Sequence, residues 1–73
     1  MYEVRLESVV NGKFDYSEHL FKDAEKAAEA VDSHVPEGFS CHGLNDTDIQ
    51  YAYGHVVDMA NNQIIHRRER CYP

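Results

Sequence analysis

Histidine and cysteine are the residue types here that could do chemistry unaided. The chain of 73 residues carries five histidines (His19, His34, His42, His55 and His66) and the cysteines Cys41 and Cys71. Zinc is usually held by N and S ligands in close pairs such as CxxC or HxxxH. The sole close pair is Cys41-His42. Neighbours on a strand point to opposite faces, so the two would not share one ion. No metal site and no cofactor is expected. Asn45, Asp46 and Asp48 carry oxygen ligands but lack the glycine and distant glutamate of a calcium loop, and they read as a polar turn. A Cys–His nucleophile needs a thiol beside a base and an oxyanion hole. Nothing in the spacing supplies that set, so no catalytic residue is assigned and the chain is not expected to be an enzyme.

Charge and tyrosine remain. The net charge is −6, unevenly placed: Arg67, Arg68 and Arg70 cluster near the C-terminal end, and the preceding body is strongly acidic. An acidic body repels phosphate, which must be met by Lys or Arg, so direct nucleic-acid binding is not expected. It suits a basic protein surface, or simply keeps a small domain soluble. Tyr51 and Tyr53 are two apart and share one face of any strand, so they are buried or presented as a pair. Tyrosine gives interfaces large contact area. The candidate partner-binding residues are therefore Tyr51, Tyr53, Glu29, Asp32, Arg67 and Arg68.

The elements that must position these residues follow from periodicity. The length suits one domain, residues 1–73, with a small core, and an apolar content of 42% argues against disorder. Tyr2–Val10 and Lys13–Phe21 alternate apolar and polar residues and read as a hairpin. Asn11-Gly12 invites a two-residue type I′ turn. That turn would set Leu6 opposite Ser17 and Val4 opposite His19, separating the apolar sets of the two strands. Face matching instead favours a three-residue loop, Val10-Asn11-Gly12. It pairs Val9 with Lys13, Leu6 with Tyr16 and Tyr2 with Leu20, with a G1 bulge and positive φ at Gly12.

Asp23 is placed as an N-cap, with Glu25 in the first turn. Ala24, Ala27, Ala28, Val31 and Val35 form one helical stripe, ended by Pro36. The stripe is thin, so Tyr2, Phe14 and Tyr16 are expected to fill the core beneath it. Pro36-Glu37-Gly38 reads as a turn, Phe39–Leu44 as a short strand, and 45–48 as a loop. Ile49–Asp58 favours a strand by its tyrosines, valines and Gly54. The same run also fits a helical stripe with Thr47 and Gln50 as a capping box. Asn61-Asn62 would then turn into a strand over Gln63–Arg70. The expected class is α+β: an antiparallel sheet of four to five strands in ββαβββ order, with one helix packed on one face.

Met1 is followed at once by a charged strand-like run, and no apolar run approaches the length of a membrane span. A cytoplasmic location and no membrane partner are expected, with both thiols free.

The run Arg5-Leu6-Glu7-Ser8-Val9-Val10-Asn11-Gly12-Lys13 resembles the central hairpin of the small type I-F anti-CRISPR proteins of Pseudomonas phages. The tail Ile65-His66-Arg67-Arg68-Glu69 loosely resembles their C-terminus. Val35-Pro36-Glu37-Gly38-Phe39 resembles the helix exit of the short podovirus-encoded inhibitors of bacterial RNA polymerase. There the following strand presents arginines, where this chain has Ser40, Cys41 and His42. Neither family's contact residues map onto matching positions here. Together the resemblances imply a tiny phage protein that binds and blocks a host defence or transcription complex in the bacterial cytoplasm. The alternative is an accessory domain acting as a subunit or homodimer.

Overall fold

The computed structural model describes residues 1–35 and 49–71. Its elements are β1 (Tyr2–Val10), β2 (Lys13–Phe21), α1 (Ala24–His34), β3 (Ile49–Asp58) and β4 (Gln63–Cys71). They form a four-stranded antiparallel sheet in the order β2-β1-β3-β4, with α1 packed chiefly on the two central strands. This is the expected α+β class, in ββαββ order. The candidate strand at Phe39–Leu44, the Pro36–Gly38 turn, the 45–48 loop and the Cys41-His42 pair lie outside the described residues.

Ile49–Asp58 is a strand, not a helix, and Gly54 shows why. It sits directly beneath α1, where a Cβ would lie 3.1 Å from both Leu6 Cδ2 and Val31 Cγ1. Ala52 and Val56 flank Gly54 on the same sheet face and are buried. The helix therefore approaches the sheet closely, as its alanine-rich stripe allows. Ala27 and Val31 are fully buried and the C-cap Val35 nearly so, against Val4 and Val56, with Tyr2, Leu6, Phe21 and Ala30 packed around them. The Asp23 side chain caps the helix by accepting from the Glu25 amide at 2.8 Å, with Glu25 acidic in the first turn.

The first hairpin corrects the three-residue loop expected from face matching. Val10 pairs with Lys13, Leu6 with Ser17 and Val4 with His19, around a two-residue Asn11-Gly12 turn with φ of 53° and 76°. Both values are positive, as type I′ requires. The positive φ at Gly12 is as expected, but it arises in a different turn. Face matching assumed that β1 and β2 bury a shared face under the helix. However, β2 is an edge strand, and only Phe21 at its end joins the core margin. With little to bury on the helix side, turn chemistry sets the register. Phe14 and Tyr16 consequently lie on the face away from α1, and of the hairpin aromatics proposed as core filler only Tyr2 packs there.

Two irregularities re-aim side chains. Between β3 and β4, Val56 pairs with His66 but Val57 with Ile64, so Ile65 is an extra residue. The bulge turns His66, rather than Ile65, to the helix side beside buried Val56. Between β1 and β3 the register shifts at Val9/Val10, leaving Gln50 unpaired. Its Oε1 accepts from the Gly12 amide at 2.7 Å and ties the turn to β3.

Candidate functional site

The helix covers one face of the sheet, and the pairing registers specify what occupies the other. Reading across β2-β1-β3-β4, the open face has four rows: Phe14–Val9–Tyr51–Cys71, Tyr16–Glu7–Tyr53–Glu69, Glu18–Arg5–His55–Arg67 and Leu20–Glu3–Val57–Ile64. Phe14, Tyr16 and Leu20 are 56%, 53% and 58% exposed. They stand on the same face as the Tyr51 and Tyr53 rings, with Val9 between Phe14 and Tyr51 and Glu7 between Tyr16 and Tyr53.

The rings are organised. Tyr51 and Tyr53 lie nearly parallel, with centroids 6.4 Å apart and an interplanar angle of 4°. Tyr53 meets His55 edge-on at 5.4 Å, and its hydroxyl shares a 2.8 Å hydrogen bond with His55 Nδ1. Phe14 and Tyr16 are 6.1 Å apart. On the β1–β2 half, the Arg5 guanidinium carbon lies 4.3 Å from the Tyr16 ring centre. Arg5 also donates to Glu7 at 2.6 Å and reaches Glu18 at 3.4 Å. The Glu7 hydrogen bond is the main reason the Arg5 pKa rises above its already high ordinary value.

On the β3–β4 half, the Tyr51 hydroxyl donates to Glu69 Oε2 at 3.0 Å. Burial, then this bond to a carboxylate, push the Tyr51 pKa up to about 12. The phenol therefore stays neutral and keeps Glu69 oriented at any physiological pH.

The structure divides the residues proposed as partner contacts. Tyr51, Tyr53 and Arg67 share the open face, and the tyrosines are presented as a pair rather than packed under the helix. Asp32 and Arg68 lie on the helix side and bond each other: Asp32 Oδ1 accepts from Arg68 Nη1 at 3.1 Å and from His66 Nε2 at 2.8 Å. They fasten α1 to β4. Glu29 is exposed on α1, away from the open face. Sequence reasoning missed Phe14, Tyr16, Glu7 and Glu69 as members of the surface. The Asn-Gly turn was the signal that could have found the first two, because accepting it places Phe14 and Tyr16 opposite Val9 and Glu7.

The described histidines are each bonded locally: His19 to Ser17, His55 to Tyr53, His66 to Asp32, and His34 through Nε2 to the Glu7 carbonyl at 2.7 Å. Among the described residues no three His, Cys, Asp or Glu side chains gather around a point where an ion could sit. No described helix is long and apolar enough to cross a membrane. Comparison of the chain with protein-family models, with curated proteins and with solved structures finds no match.

Proposed function

We propose that the chain acts by stoichiometric protein binding rather than catalysis, and that its open sheet face docks on a basic surface of a larger complex. The target class is a host defence or transcription machine, the kind blocked by the small phage inhibitors that its hairpin and helix exit resemble. An anti-CRISPR role ranks ahead of polymerase inhibition because the longer matching run, Arg5–Lys13, supports it. The action would take place in the cytoplasm of a bacterial host.

One observation carries the reading. A sheet face opposite the helix presents Phe14, Tyr16, Leu20, Tyr51 and Tyr53 together, with Glu3, Glu7, Glu18 and Glu69 interleaved. Exposed apolar side chains gathered on one face of a small protein mark a candidate interaction site, and aromatic anchors dominate binding energy once water is excluded around them. The net charge of −6 favours fast encounter with a basic partner. Surfaces that hold nucleic acid are basic, so an acidic protein with aromatic anchors can occupy them in place of the nucleic acid.

The test is co-elution of the chain with a purified type I-F interference complex and, separately, with purified bacterial RNA polymerase. Co-elution with one of them, weakened by salt and by Phe14→Ala, is expected. Co-elution with neither would contradict the reading.

A second reading, homodimerisation, is favoured by β2. It is a nine-residue edge strand without proline, exposed along nearly its whole length, and such an edge can pair with its twin. A dimer on sizing that binds neither complex would select it.

A further inference from the structure

We propose that Tyr51, Tyr53 and Glu69 form a subsite for an arginine side chain of the partner. The proposal rests on the reading of the open face as a docking surface and names the chemical group that surface takes. The protein supplies its own precedent on the neighbouring half of the same face. Arg5 lies over the Tyr16 ring at 4.3 Å and donates to Glu7 at 2.6 Å, so a tyrosine and a carboxylate on adjacent strands already hold one guanidinium. The β3–β4 half repeats the combination in the same row, with Tyr53 directly opposite Glu69.

The geometry suits arginine more than lysine. The two rings are parallel to within 4°, 6.4 Å apart and half-buried, so a planar cation can lie parallel to a ring face. Glu69 is fixed by the Tyr51 hydroxyl through Oε2. A carboxylate has about four acceptor positions and that bond uses one, so the group can still receive a guanidinium N–H. Arg67, opposite His55 in the next row, repels a cation from that side. The incoming group is thereby directed toward the Tyr51–Cys71 end of the face.

The experiment is an NMR titration of the full chain with an end-blocked Gly-Arg-Gly tripeptide, its citrulline counterpart and oligothymidylate. The expected result is saturable shifts at the Tyr51, Tyr53 and Glu69 amides with the arginine peptide and none with the citrulline one. Glu69→Gln, an exposed conservative change, should weaken that binding by at least about tenfold, equivalent to about 1.4 kcal/mol. Leu20→Ala, in the row at the far end of the face, should leave it unchanged. Equal response to citrulline, an unaffected Glu69→Gln variant, or no shifts at these amides would overturn the subsite. Saturation of the same amides by oligothymidylate alone would replace it with a base-stacking platform. Co-elution with a host complex that survives Glu69→Gln, alongside a silent peptide titration, would remove this inference and leave the docking surface standing.

Discussion

His66 on β4 and Asp32 on α1 meet at 2.8 Å, and Arg68 shares the same Asp32 oxygen at 3.1 Å. The contact depends on the bulge at Ile65, which turns His66 toward the helix. It pins α1 to an edge strand that it otherwise touches little. The His66 hydrogen bond, then that of Arg68, hold the Asp32 carboxyl below its ordinary value of 3.8 against the opposing effect of burial. A depressed carboxyl pKa contributes stability above the unfolded value, which is lost as pH falls through the lower folded value. Asp32 is 43% exposed, so solvent screens the contribution. Asp32→Asn should cost about 0.5–1 kcal/mol near neutral pH. That gap should close in strong acid, as pH falls through the lowered folded value and the wild-type carboxyl takes up its proton. Urea unfolding of both proteins at the two pH values measures it. A gap that persists in acid would assign the loss to packing instead of charge.

Gly54 predicts a different kind of sensitivity. A methyl group there would press on Leu6 and on Val31, and Val31 is β-branched, fully buried and unable to turn away. Overpacking should outweigh the entropy gained by removing a glycine. Gly54→Ala is expected to destabilise by about 1–2 kcal/mol, and Gly54→Val by more. The same Gly54→Ala change made in a Val31→Ala background should cost measurably less, because the clashing methyl groups are gone. Identical costs in both backgrounds would mean that α1 does not press on the sheet at this point.

How far the sequence disclosed the molecule depends on which force sets each feature. Asp23, Glu25 and the Ala27–Val31 stripe predicted α1 correctly, because capping and periodicity are local. The β-rich run at Tyr51–Val57 predicted β3 against its helical alternative. The register of the first hairpin was misjudged at Val10–Lys13. Its two apolar sets were assumed to share a core, whereas β2 lies at an edge and the Asn-Gly turn decides. The same misjudgement hid Phe14 and Tyr16 from the candidate surface. Asp32 and Arg68 look like free surface charge in one dimension. Their pairing needs the bulge at Ile65, which the ambiguous Gln63-Ile64-Ile65-His66 run does not announce.

The orientation of Glu69 can be read from the titration of Tyr51. Burial and the Glu69 hydrogen bond keep the phenol protonated to about pH 12, and the stability tied to that bond is present below the ordinary phenol range and lost as pH rises through the folded value. Ultraviolet titration should therefore show one tyrosine ionising well after the others, provided the protein remains folded. Glu69→Gln should bring that tyrosine earlier, and Tyr51→Phe should remove it from the curve. A late tyrosine that persists in Tyr51→Phe would place the perturbed phenol elsewhere on the face.

The most direct test of the docking surface is site-specific photo-crosslinking in host cells, with a benzoyl-phenylalanine replacing Phe14 on the open face or Glu29 on the outer face of α1. A single adduct with a subunit of a host defence or transcription complex from position 14, and none from position 29, is the predicted result. An adduct from position 29 alone would contradict it and move the binding surface to the helix.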